Sequence, residues 1–186
     1  MNEEESLVVI RPCTREDVSV VALIDHALFS PLGTAEEPEI FAKRFSAHPE
    51  GFFVAEAQTN EEGGEGKVMV GFATSERWIE EREPTMNEDP LETYHPEGKV
   101  LCITGMAVLE EFQRKAVGSR LLEKLICMAK EQNIESIILE TSRARRFYEK
   151  NGFHFVREKE QWGVTLSVMR FLVDRTPQQF TQRVDE

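Results

Sequence analysis

The sequence predicts a single mixed α/β domain. Short apolar runs with strand character alternate with longer stretches whose apolar residues recur at helical spacing. Turn-forming residues separate these stretches, and no internal repeat or linker-like segment divides the chain. The 186 residues are enough for one domain with a sizeable core.

Taken in order, residues 7–10 form a short apolar strand ended by Arg11-Pro12. Thr14 with Asp17 resembles a capping box in which Asp replaces Glu. Residues 15–29 follow as an amphipathic helix, with Val18, Val21, Ala22, Ile24, Leu28 and Phe29 at core-facing spacing. Residues 30–34 break it, and residues 36–47 form a second, shorter helix with Ile40, Phe41 and Phe45 on one face. Residues 52–57 and 67–78 read as a hairpin joined by a polar turn at 59–66. The Glu- and Pro-rich stretch 79–98 is too polar for core and too long for a passive connection, which suits a lid or wall of a binding site.

Residues 101–108 are a strand, and a helix runs from Val117 to about Gln132. Residues 135–140 form a buried strand, and a helix from Ser142 is stopped by Asn151-Gly152. Residues 153–157 and 163–173 are closing strands. The domain is expected to span residues 1–174, with 175–186 a polar, frayed tail.

The net charge of −12 argues against nucleic acid as a partner, because a phosphate backbone calls for a basic footprint. It suits a cationic small substrate, as well as plain solubility. No apolar run approaches a membrane span, and the acidic start MNEEES is unlike a secretory signal. Cys13, Cys102 and Cys127 have no paired spacing, so neither a zinc site nor a disulfide frame is expected. These features place the protein in the cytoplasm, with the nucleus an alternative, and away from membranes.

The chain is organised around residues 100–122. An apolar strand passes through Glu110-Glu111 and the loop Gln113-Arg114-Lys115-Ala116-Val117-Gly118-Ser119 into a helix. A strand-loop-helix junction of this kind leaves free backbone N–H groups that bind phosphate. Arg114 and Lys115 add charge within reach of phosphates.

The element order, together with QRKAVGSRLL and RARRFYEKNGF, resembles the GNAT acyltransferase superfamily. The resemblance implies a central mixed, largely antiparallel, twisted sheet of about seven strands, splayed at the central strand and flanked by about four helices. It implies acetyl-CoA as co-substrate and no metal. The superfamily's Q/R-x-x-G-x-G/A loop is Gln113 to Gly118 here, with Ala116 in place of the first glycine. Alanine keeps the N–H but takes positive φ only at a cost. Met106, Ala107 and Val108 match positions whose backbone meets the pantetheine arm, and Gly105 is where the splaying bulge is expected. Tyr148 matches the family tyrosine near the thioester sulfur. Its phenol is protonated at neutral pH and suited to act as general acid toward the departing thiolate.

Within the superfamily the chain is most similar to arylalkylamine (serotonin) N-acetyltransferases, through IDHALF, ETYHPEGKV, RFYEKNGFHFV and the long loop after the third strand. The vertebrate enzymes carry two relay histidines where this chain has Cys102 and Thr104. Glu140 and His95 are the candidate replacements for the base. Cys102 has no paired base, and a buried strand cysteine is inert. Phe29, Pro31 and Leu32 lie where relatives place the acceptor, and an aromatic there suits an apolar amine pocket. The resemblance therefore implies direct acetyl transfer to the primary amine of a small molecule, of arylalkylamine or polyamine type, by a monomer or weak homodimer. A peptide or protein amine is the alternative acceptor, and a degenerate acyl-CoA-binding domain is the alternative of another class.

Overall fold

The computed structural model describes residues 7–61, 64–161 and 163–174; the polar tail expected from 175 lies outside the described residues. Its elements are β1 (Val8–Pro12), α1 (Val18–Phe29), α2 (Pro38–Ala47), β2 (Phe52–Glu61), β3 (Gly64–Trp78), α3 (Pro90–Thr93), β4 (Val100–Val108), α4 (Val117–Glu131), β5 (Ser136–Thr141), α5 (Arg145–Lys150), β6 (His154–Gln161) and β7 (Val164–Leu172). They build one seven-stranded sheet in the order β1-β2-β3-β4-β5-β7-β6. Every neighbouring pair is antiparallel except β4–β5.

The two faces of the sheet carry separate cores. On one, Leu121, Leu122, Leu125 and Ala129 of α4 bury fully against Ala55, Ala73, Leu101 and Ile137. Their spacing along α4 is the helical stripe visible in the sequence. On the other, Val21, Ala22 and Ile24 of α1 and Phe41 of α2 pack on Val54 and Phe72. The entry to α1 is held as its sequence suggests: the Thr14 backbone N–H and hydroxyl both donate to Asp17 Oδ2, at 2.8 and 3.0 Å.

Three details of the elements refine the expectations. The β2–β3 ladder runs on through the predicted turn at 59–66, as far as Glu61 opposite Gly64. Backbone pairing drives a ladder whether or not its side chains are apolar. Secondly, the described residues hold five helices, in line with the expected count of about four. The extra one, α3, is a single turn inside the 79–98 stretch, opened by Asp89, whose Oδ1 accepts from Leu91 N–H at 3.0 Å, and by Pro90. Thirdly, α5 begins at Arg145 and not Ser142, because the Thr141 hydroxyl accepts from Ala144 N–H at 3.0 Å and holds residues 142–144 outside the helix.

The feature that positions the site is the short life of the β4–β5 pairing. It runs from Val100 opposite Ser136 to Ile103 opposite Leu139 and stops. β4 then continues to Val108 with β3, while β5 continues to Thr141 with β7. At the point of divergence β4 carries an extra residue. Thr74 pairs with Gly105 and Ser75 with Ile103, so Thr104 is the bulged residue, one position before the expected Gly105. The Thr104 and Thr74 hydroxyls are hydrogen-bonded at 2.9 Å, which pins the bulge. Gly105 serves close packing: a Cβ there would lie 3.1 Å from Thr74 Oγ1 and 3.2 Å from Phe72 Cε2.

A buried ion network fastens α2 to β3 beneath this opening. Arg44 donates through Nε to Glu76 at 2.7 Å and through its two terminal nitrogens to Glu36 at 2.5 and 3.0 Å. Glu76 also accepts from Trp78 Nε1 at 3.0 Å and from the Thr93 hydroxyl at 2.8 Å. Burial opposes the Arg44 charge, but the two carboxylates hold its pKa above the ordinary arginine value. Arg44→Met strands both carboxylates, so it is expected to cost about 3–5 kcal/mol in urea unfolding; a loss under 1 kcal/mol would contradict this.

Candidate active site

Where β4 and β5 part, a cavity of about 280 Å³ passes between them. Ile103, Thr104, Gly105 and Met106 supply one wall, and Leu139, Glu140 and Thr141 the facing one. The α1–α2 side contributes Phe29, Leu32 and Thr34, and the stretch after β3 contributes Pro84, Thr85, Met86 and Glu88.

That stretch is a wall fastened on both sides. Arg82 stacks on Trp78, with its guanidinium carbon 3.8 Å from the ring centroid, and donates to Glu88 at 2.8 Å. Glu81 pairs with Arg170 and accepts from Ser136 at 3.1 Å, and Glu83 pairs with Arg157 and Lys159. Toward α2, Asn87 accepts from Glu37 N–H at 2.9 Å, and Asp89 pairs with Lys43 at 2.5 Å.

Tyr148 comes to the cavity from α5 and is 6% exposed. Its ring sits edge-on between Phe147 and Phe153, at centroid distances of 5.1 and 5.5 Å. Past the helix, Gly152 takes φ 87°, and Phe153 N–H returns to Tyr148 C=O at 3.0 Å, so the chain reverses tightly behind the tyrosine. Burial pushes its hydroxyl well above the usual phenol pKa.

Outside the cavity, the loop before α4 has the geometry of an anion cradle. Arg114 and Ala116 both adopt φ 60°, with Lys115 between them on the negative side. Such alternation turns successive N–H groups into a concavity. The first-turn N–H groups of Val117, Gly118 and Ser119 continue it, since they precede the first intrahelical bond, Arg120 N–H to Ala116 C=O at 3.0 Å. The Gln113 side chain is turned back to Val108 C=O, at 2.9 Å. Gly118 leaves a narrow gap to α5, where an added Cβ would meet Phe147 at 3.5 Å. The left-handed turns and free first-turn N–H groups of this loop fit a coenzyme A pyrophosphate.

Other candidate residues fall into two groups. Phe29, Leu32, Met106, Glu140 and Tyr148 share the cavity. Pro31 is not on its wall, and neither is His95, which is exposed and accepts from Glu97 N–H at 3.2 Å. Glu140 is paired with Lys159 at 2.6 Å; burial raises its pKa and Lys159 opposes the rise. Cys102 is fully buried, and burial drives its thiol well above the usual value.

Six charged residues of the cavity wall were not singled out from the sequence: Asp25, Glu36, Arg44, Glu76, Glu88 and Arg143. Asp25 and Arg44 did carry a signal. Each occupies an apolar-stripe position of its helix, Asp25 four residues after Val21 and Arg44 three after Phe41.

A sheet split at its centre, with an N–H-rich loop on one side and a small acid-lined cavity behind the split, accords with an acyltransferase. Residues 19–153 match the acetyltransferase (GNAT) family model, and the chain belongs to that family. A sequence comparison with curated proteins finds no match. Among solved structures, Ard1 from Thermoplasma volcanium is 23% identical, with TM-score 0.65 over 89% of this chain and 97% of its own. The loading GNATL domain of CurA from Lyngbya majuscula is 16% identical, with TM-score 0.72 over 90% and 98%. The putative acetyltransferase yncA from Salmonella typhimurium, solved with its cofactor acetyl-CoA, is 16% identical, with TM-score 0.63 over 91% and 96%. At such identities the likeness is one of fold.

The left-handed Ala116 gives a direct test of the loop. A non-glycine residue there costs about 1–2 kcal/mol, part of which glycine returns through the freer unfolded chain. Ala116→Gly is therefore expected to raise stability by about 0.5–1 kcal/mol in thermal unfolding; a lowered melting temperature would contradict this geometry.

Proposed function

We propose that the protein is an acetyl-CoA-dependent N-acetyltransferase acting on the primary amine of a small molecule, of arylalkylamine type. The observation that carries this reading is the cavity itself. Its walls hold the carboxylates of Asp25, Glu36, Glu76, Glu88 and Glu140 against the cations Arg44 and Arg143, with Arg82 on Glu88 and Lys159 on Glu140, which leaves a net excess of one negative charge. An excess of negative charge in a low-dielectric cleft concentrates a cation such as an ammonium. Phe29, Leu32, Trp78 and Met86 supply apolar surface for its body. The volume of about 280 Å³ is at the small end of small-molecule sites. The fastened wall at 79–89 favours such a molecule over a peptide, which calls for an open groove. A coenzyme-binding domain without transfer draws support only from the strained Ala116, and that residue keeps its N–H.

Acetyl-CoA supplies an acyl carbon with a good leaving group, held by the Arg114–Ser119 loop and the Met106–Val108 backbone. Thr104 and Cys102 make no relay in this reading, because one hydroxyl is tied to Thr74 and the thiol is buried. Burial favours the neutral, protonated Tyr148 hydroxyl, the form that can donate to the departing sulfur. A preorganised donor in a dry site is worth most where charge develops, here at the sulfur.

A thiol-release assay with serotonin, tyramine, phenylethylamine, spermidine and short peptides tests the acceptor class. Arylalkylamines are expected to give the highest kcat/KM; a preference for peptides would overturn the small-molecule reading. Tyr148→Phe is expected to lower kcat by about 100-fold while coenzyme affinity stays within twofold. Unchanged turnover would remove the general-acid role.

A further inference from the structure

Resting on that transferase reading, we infer that Asp25 holds the ammonium of the incoming amine and takes its proton. Asp25 lies on the buried stripe of α1, is 4% exposed and lines the cavity. Among the described residues its carboxylate accepts one hydrogen bond, from Glu36 N–H to Oδ2 at 3.1 Å. That bond positions the α1–α2 connection, and a neutral asparagine oxygen would accept it equally well. The charge is therefore surplus to the structural task, and burying it without a counter-ion is costly.

Among the described residues no side chain is ion-paired with Asp25, and the Arg44 charge offsets its burial only in part. From α2, Arg44 faces Asp25, but its donors go to Glu36 and Glu76. From the α1–α2 connection comes Glu36, another carboxylate. Elsewhere on the cavity wall, Glu88 is paired with Arg82 and Glu140 with Lys159, while Arg143 lies in the connection between β5 and α5. On α1 itself the neighbouring His26 is exposed. A substrate ammonium is the cation that completes the set.

The proton inventory agrees. The alkylammonium gives one proton to the Asp25 carboxylate, and the freed lone pair forms the C–N bond at the acyl carbon. The C–S bond breaks and the sulfur takes the Tyr148 proton. The nitrogen's second surplus proton restores Tyr148, and Asp25 passes its proton to solvent. One amide, one thiol and one proton result.

Burial lifts the Asp25 carboxyl to about 7, with Glu36 N–H and Arg44 opposing the rise and the Glu36 charge adding to it. A carboxylate of that basicity is a better proton acceptor near neutrality than an ordinary one. The same shift fixes the sign of its effect on stability. The folded chain binds this proton more tightly than the unfolded chain, so stability is lost as pH rises from about 4 to about 7.

The test is Asp25→Asn, which keeps the acceptor for Glu36 N–H. Coenzyme A-loaded wild type is expected to bind 2-phenylethylamine at pH 7 with release of protons, measured by calorimetry in two buffers of different ionisation heat. The variant is expected to bind at least tenfold more weakly without proton release, and to lose the rising limb of kcat/KM near pH 7. Its melting temperature is expected to hold at pH 5 and to exceed wild type at pH 8. Equal affinity in both proteins, binding by neither, or an unchanged pH profile overturns the assignment. Binding that depends on Asp25 without thiol release supports the ammonium site and overturns the transferase reading instead.

Discussion

The β4–β5 pairing lasts four residues, and the site depends on its ending there. Had the parallel ladder run on past Ile103 and Leu139, the space between the strands would be filled by backbone hydrogen bonds. The Thr104 bulge, pinned through Thr74, turns β4 away toward β3, and β7 holds β5 on the other side. Two antiparallel half-sheets thus share a short parallel seam. Beyond Ile103 the edge of β4 turned away from β3 no longer pairs with β5, and a gap opens there.

The gap joins two environments of opposite chemistry. On the α4 and α5 side lie the left-handed loop and its N–H groups, which suit phosphate. On the α1 and α2 side lie carboxylates and aromatic or aliphatic surface, which suit an ammonium with an apolar body. Tyr148 stands where they meet. The Arg44 network and the stretch 79–89 hold the second environment in shape, through contacts reaching from α2 to β7. That rigidity is the physical reason the cavity is small and pre-formed.

The strand-loop-helix junction was legible in the sequence because its determinants are local. A strand, a polar loop and a helical stripe within residues 100–122 are enough to expect the junction, whereas the left-handed φ of 60° at Ala116 is not legible in them. Tyr148 was visible for the same reason. The acceptor side was less visible because it is assembled from four separate elements. Asp25 and Arg44 broke the apolar stripes of their helices, but what each met depended on tertiary packing. Glu140 was visible as a strand-end carboxylate, whereas its Lys159 partner comes from β6, which no local pattern pairs with it. His95 looked accessible to the chemistry, yet its N–H is held by Arg77 C=O at 2.9 Å, which leaves the ring outside the cavity.

The central claim is that the strand-loop-helix junction is a coenzyme A site opening onto the acid-lined cavity. Calorimetric titration of the whole chain with coenzyme A tests it most directly. The account predicts one site per chain, weakened as salt rises because the Arg114 and Lys115 charges contribute to holding the phosphates. Absence of binding at low salt would contradict it.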